Sequence, residues 1–297
     1  MNGRALTADT LLSILFFIVL GLPSTSFGAQ SSADAASEKQ EVADELRSRE
    51  DPTILKRRAW FETEWNSFKD GSDNIEVTLG GLWSWSLSPR QNWAVRLKVP
   101  YEWHVAGRTP GDVDTSGLGD IKVAAGTAFR LANTWRAGGG LELLTPSGTE
   151  HTLSDNVWRL QEFGAVAWDA AEFLTFSPSL EYNESVAEEP DAAPQHFLEM
   201  FFPATVVLPA KWAATARYEA KVDFQNDNTW THSAKFVVGK ELGDLPLALT
   251  LSFKKPFDGG EKKIQVNFAA TWFFRQQAKK LVMRSSRGRC RSVVPSE

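Results

Sequence analysis

From about residue 58 onward this chain alternates apolar and polar residues with a period of two, and the alternation persists for unusually long stretches. Ile75, Val77, Leu79, Trp83, Trp85 and Leu87 share one parity, while Glu76, Thr78, Ser84 and Ser86 share the other. Trp93, Val95, Leu97, Val99, Tyr101 and Trp103 alternate with Asn92, Arg96, Lys98, Glu102 and His104. Further on, Leu245, Leu247, Leu249, Leu251 and Phe253 alternate with Ala248, Thr250, Ser252 and Lys254. Successive residues of a strand point to opposite faces, so these segments are strands with one apolar and one polar face. Strands of soluble domains usually run about five or six residues. About ten are needed to cross a bilayer at a tilt, and these segments reach that length.

Aromatic residues gather near the strand ends, at Trp93, Trp103, Trp135, Trp158, Trp168, Trp212, Trp230 and Trp272. That is where a barrel crossing a membrane places its interfacial girdles. A soluble β-sandwich also alternates, but rarely for so long. About twelve segments can be counted, near 58–69, 74–87, 91–104, 118–131, 134–145, 157–168, 172–183, 196–208, 211–223, 229–240, 244–254 and 262–274. The segments at 157–168 and 196–208 alternate poorly. Short links at 88–91, 132–134, 169–172, 209–210 and 241–244 alternate with mostly longer ones at 105–116, 146–156, 183–195 and 257–262. Short turns on one side and long loops on the other predict an all-β, antiparallel, up-and-down transmembrane β-barrel of about twelve strands, with both termini in the periplasm.

Composition supports this class by exclusion. A mean hydropathy of −0.27 is too polar for a bundle of membrane-spanning helices. With 42% hydrophobic residues the chain is too apolar for a disordered one. Lys+Arg 32 against Asp+Glu 37 leaves a net charge of −5, so no nucleic-acid partner is implied. The single cysteine, Cys290, excludes an internal disulfide and any multi-cysteine metal site. No cofactor is expected.

Residues 1–28 read as a cleaved signal peptide: Arg4, an apolar run from Leu11 to Leu22, then Ser26-Phe27-Gly28 as a small-x-small cleavage site. Export and a barrel together place the chain in the outer membrane of a Gram-negative cell, with outer-membrane lipid and the barrel assembly machinery as its partners. Residues 29–57 form a polar periplasmic leader, read as mobile or as a short surface helix, because no apolar face there is wide enough to pack. Folding into the lumen as a plug is a second course that nothing in the leader's sequence demands. The barrel occupies 58–274, and 275–297 is a basic, disordered tail.

If the apolar parity meets lipid, the other parity lines the lumen. The candidates are Glu62, Glu64, Arg96, Lys98, Glu102, His104, Asp120, Lys122, Arg130, Arg136, Glu142, Arg217, Glu219 and Lys221. Both signs occur, which describes a polar lumen laced with ion pairs and not a single-sign filter. No catalytic motif appears. His232 and Ser233 are adjacent in a strand and so face opposite ways, leaving no hydrolase pair. The glycine run Gly138-Gly139-Gly140 lies inside a strand and reads as relief for curvature or close packing.

One stretch resembles a known family. Val99-Pro100-Tyr101, a Thr/Gly loop, and then Gly117-Leu118-Gly119-Asp120, with GGGLELLTPSG at 138–148, look like the outer-membrane barrels named for the meta-pathway of phenol degradation. The likeness runs over about 58–274. It implies a barrel that moves small, often aromatic or hydrophobic, compounds, and it supplies no catalytic residue. The expected function is an outer-membrane channel or passive transporter for small molecules and not an enzyme. The alternatives are a non-conducting structural or adhesive barrel, or an outer-membrane lipid hydrolase.

Overall fold

The computed structural model describes residues 32–107, 113–190, 192–242, 245–257 and 262–274. The expected signal peptide, the tail and Cys290 lie outside the described residues. One helix, α1 (Ser32–Arg47), precedes fourteen strand segments. These are β1 (Arg58–Phe68), β2 (Asp73–Ser88), β3 (Gln91–Val105), β4 (Thr115–Leu118), β5 (Lys122–Arg130), β6 (Trp135–Leu144) and β7 (Val157–Ala171). There follow β8 (Leu174–Phe176), β9 (Ser179–Glu188), β10 (His196–Leu208), β11 (Trp212–Asp223), β12 (Thr229–Glu241), β13 (Leu247–Pro256) and β14 (Lys262–Phe273).

Every pairing is antiparallel and the sheet closes on itself. β14 pairs with β1 from Arg58↔Phe273 onward, and β10 pairs with β11 from Phe197↔Asp223 to Leu208↔Trp212. β4 and β5 share one position beside β3, and β8 and β9 share another between β7 and β10, so the segments form a closed barrel of twelve strands. Closure satisfies the backbone without leaving an edge, which a strand surrounded by hydrocarbon requires. Two local features make the interruptions. Pro178 separates β8 from β9, with Val166 N–H donating to Pro178 O at 3.1 Å. Between β4 and β5 the pairing with β3 slips by one residue, from Tyr101↔Leu118 to Lys98↔Lys122.

The two faces differ as the parity predicts. Leu79, Trp83, Leu97, Trp103, Leu141, Phe202 and Phe236 are exposed on the outer face. Buried polar residues such as Asn66, Glu142, Asn183, Thr215 and Glu219 belong to the opposite parity and face inward. The short connections at 89–90, 131–134, 172–173 and 209–211 lie at the end where β1 begins and β14 finishes. The longer ones at 106–114, 145–156, 189–195 and 257–261 lie at the other, the loop end.

The leader departs from the reading of a mobile or surface segment. Val42, Ala43, Leu46, Ser48, Asp51, Thr53 and Ile54 are all buried. Arg47 donates to Glu172 O, Arg49 to Thr271 Oγ1, Asp51 pairs with Arg136, and Glu50 pairs with Arg217 and Lys235. Those partners sit on β14, β6, β11 and β12 and at the β7–β8 turn, spread around the barrel, so residues 40–57 lie inside it at the turn end. A wide apolar face was the wrong requirement. The interior of this barrel is polar, so a helix needs only a narrow apolar strip there. Val42 and Leu46 supply it, one turn apart, against Ala213, Ala248 and Phe273. Charges then meet charges around the rest of the circumference.

Candidate functional site: the occupied lumen

The inner wall begins with β1 to β3. Glu64, Glu76 and Glu102 are direct neighbours across the three strands, through Glu64↔Glu76 and Glu76↔Glu102. Each carboxylate is hydrogen-bonded to an inward neutral donor: Asn66 to Glu64 at 2.8 Å, Asn74 to Glu102 at 2.9 Å, and Thr78 to Glu76. Beside this acidic row stands a basic one. Lys98 and Lys122 are cross-strand partners, and Arg96 reaches over β5 to Glu142 of β6 at 2.5 Å. Small inward residues leave the room for that span, since Ala124 lies between Arg96 and Glu142 in register.

On the far wall Arg217 donates from Nε to Glu219 Oε1 at 2.6 Å, and Glu219 also accepts from Ser233 at 3.1 Å and pairs with Lys254. Lys221 stands 3.6 Å from the centre of the Phe197 ring and Arg217 4.9 Å from that of Phe201. These inward phenylalanines give the cations a π-face in place of water. Glu62 accepts from Asn267 and pairs with Arg49 of the leader at 3.5 Å. Arg136 is shared between Asp51 and Asp169, and Arg130 is its register partner on β5. His104 is opposite Asn74 near the loop end.

Asp120 does something else. Its carboxylate accepts from Ser147 N at 3.1 Å, Gly148 N at 3.1 Å, Ser154 Oγ at 2.8 Å and Asp155 N at 2.7 Å. It is buried beneath the 145–156 loop, and its partners are loop donors in place of a lumen Lys or Arg. The glycines before it have matching duties, for a side chain at Gly117 would collide with Thr149 and one at Gly119 with Glu102. The Gly-Leu-Gly-Asp run is therefore a fastening for one long loop.

The leader is held by its own charges. Burial alone would push the Glu50 carboxyl up, but Lys235, Arg217 and Arg49 outweigh it and hold the group at about 2. Burial raises the Asp44 carboxyl, against a smaller opposing pull from Lys56. Two cavities flank the leader. The larger, about 910 Å³, lies at the turn end beside α1, Arg57, Arg90, Arg130 and Phe273. The smaller, about 290 Å³, lies deeper, between residues 48–55 and the wall of β3, β5 and β7.

Sequence parity did not single out Arg58, Phe163, Glu181, Glu199 or Phe201, all of which face the lumen. Glu181 and Glu199 are direct cross-strand partners. Phe163 lies over Gly126 and Gly140, where an added Cβ would press on its ring. The glycine run thus makes the shelf on which an inward ring rests. His232 and Ser233 are on opposite faces: His232 Nδ1 is 2.7 Å from Tyr218 Oη outside, while Ser233 bonds Glu219 inside.

No family model and no curated protein matches the chain. Among solved structures, an outer-membrane channel from Pseudomonas putida F1 is similar at a TM-score of 0.63 and 14% identity, covering 74% of this chain and 96% of that one. The translocator domain of the autotransporter NalP from Neisseria meningitidis is similar at a TM-score of 0.52 and 8% identity, covering 82% and 98%. These likenesses define the class: the fold is a β-barrel of the outer-membrane type. One neighbour is a channel and the other a translocator domain, so the shared fold leaves the cargo to be argued from the lumen.

Proposed function

We propose that this protein is an outer-membrane channel, a passive transporter for small molecules whose lumen is narrowed at its turn end by residues 40–57. The observation that carries this reading is the way the leader is held. It is bound to the wall mainly through ion pairs and hydrogen bonds, at Glu50, Asp51, Arg47 and Arg49, with only a narrow apolar strip at Val42 and Leu46. Ion pairs with more than one partner in reach, such as Glu50 between Arg217 and Lys235, can be exchanged one at a time, whereas an apolar core opens only at the cost of exposing its surface. Cavities of about 910 and 290 Å³ remain beside the leader.

The exported chain reaches the outer membrane through its signal segment and is inserted there by the barrel assembly machinery. The resemblance to the phenol meta-pathway barrels supports small aromatic or hydrophobic solutes, and the inward Phe163, Phe197 and Phe201 give such solutes surfaces to slide on. Planar-bilayer recording tests the reading. The mature barrel is expected to show small conductance steps, and a variant lacking residues 30–57 larger ones. Correctly inserted barrels that insulate in both forms would reduce the protein to a structural or adhesive role.

A further inference from the structure

The smaller cavity has a composition that selects a ligand. Its wall is built from small residues, Ala94, Ala124, Gly126 and Gly139, which hollow out one side. Phe163 and Phe201 flank the hollow, and Ile54 and Leu55 of the leader face it. At about 290 Å³ it stands at the small end of the range for small-molecule pockets, about 300–1,000 Å³, so it has room for a single ring and a short substituent.

Among the residues that line this hollow, cations outnumber carboxylates. Four arginines line it, Arg49, Arg58, Arg96 and Arg217, against two glutamates, Glu50 and Glu181. Three of the arginines have carboxylates at ion-pair distance, in Glu62, Glu142, and Glu50 with Glu219. Arg58 has none among the described residues. Its Nη1 donates to Ser48 O and Ser48 Oγ, both at 2.6 Å, and its guanidinium lies 5.6 Å from the centre of the Trp60 ring. Arg96 Nε is buried without an acceptor, although its Nη2 is bound to Glu142. A guanidinium with spare N–H groups binds a planar carboxylate well, and a charge-assisted hydrogen bond at a sheltered site is among the stronger ones available.

We propose that this cavity is a binding site for a small aromatic monocarboxylate, its ring between Phe163 and Phe201 and its carboxylate on Arg58 and Arg96. The inference names a solute class for the channel and so rests on that reading. It also gives the seated leader a second use, because residues 48–55 complete the pocket as well as narrowing the lumen. Glu181 sets the limit on the ligand: a second carboxylate would meet it, which favours monoacids over diacids.

Isothermal titration of the folded mature chain in detergent micelles tests the site. Benzoate is the probe, with benzyl alcohol and benzylamine as its neutral and cationic counterparts. Benzoate is expected to bind one per barrel, at least about tenfold tighter than either counterpart. Arg58→Gln is expected to weaken it about tenfold, whereas Arg130→Gln, which alters only the other cavity, leaves it unchanged. Ala124→Phe fills the hollow and is expected to abolish binding, with heat-dependent gel mobility reporting that the barrel has formed. Equal binding of benzoate and benzyl alcohol overturns the site, as does benzoate binding untouched by both Arg58→Gln and Ala124→Phe. Binding is read without conduction, so a barrel that conducts but ignores benzoate sinks the site alone. One that binds benzoate yet insulates sinks the channel alone.

Discussion

Arg136 of β6 donates from Nη2 to Asp51 Oδ2 of the leader at 2.9 Å while its Nη1 is bound to Asp169 of the neighbouring strand. One guanidinium thus ties the leader to two staves of the wall, and Asp51 is only 1% exposed there. Breaking a buried pair costs about 3–5 kcal/mol because the remaining charge is stranded. Here Asp169 still holds Arg136, so Asp51→Ala is expected to cost the seated leader about 3 kcal/mol, the low end of that range. Trypsin checks it: cleavage after Arg47 or Arg49 should be slow in the wild-type barrel and fast in Asp51→Ala.

Acid is expected to loosen the leader through Glu50. Its carboxyl titrates at about 2 when seated, against 4.5 for a free glutamate. A depressed carboxyl stabilises the state in which it is depressed, fully above the free value, and loses that contribution as pH falls through the seated one. Conductance in planar bilayers should therefore be flat from pH 7 to about 4.5 and rise between there and about 2. Glu50→Gln should conduct more at neutral pH and lose the part of the acid rise that belongs to this group.

Asp120 predicts a loop phenotype. Its carboxylate answers four donors of the 145–156 loop, and Asp120→Ala takes the acceptor from Gly148 N, Ser154 Oγ and Asp155 N, while Ser147 N keeps Thr145 O. At about 1 kcal/mol for each hydrogen bond lost, the loop should loosen from β4. Limited proteolysis within 145–156 is the measurement. The Asn variant keeps one acceptor oxygen and should be cut at an intermediate rate.

Glycines of the same barrel should respond in opposite ways. A side chain at Gly140 would strike Ala125 O and Gly126, whereas the Cβ of Gly81 or Gly164 would meet nothing within 4 Å. Gly140→Ala is expected to lower the temperature at which the barrel loses its compact gel mobility, or to prevent barrel formation. Gly164→Ala should leave that temperature unchanged.

The architecture was largely legible, because lipid outside and polar lumen inside imprint a period of two on every strand that separates them. It faded where the inner face is not polar. β7 and β10 carry Phe163, Phe197 and Phe201 inward, and these are the two segments whose alternation is poorest. A ring that receives Lys221 or rests on Gly126 has an environment set by another strand, and no local pattern records it. The leader was misread for a related reason. Amphipathicity measures fit to an oily core, and residues 40–57 pack in a charged one, where matching of Glu50 to Arg217 and Asp51 to Arg136 replaces an apolar face. Ion pairs between residues far apart in the chain have no sequence period. Arg58 and Glu181 were overlooked for the same cause, since their importance arises from a cavity that exists only when leader and wall meet.

The pairing of β1 with β14 has a bearing on how the molecule is made. The leader lies just ahead of β1, yet its apolar seat is built from Ala213, Ala248 and Phe273, which belong to β11, β13 and the last residue of β14. Birth order and docking order are therefore opposed: the stretch ahead of the first strand waits for the last strand. Before the seam closes there is no Phe273 beneath Leu46 and no Thr271 beside Arg49. A docked leader is thus the signature of a finished barrel, a latch that falls only after the last stave is in place.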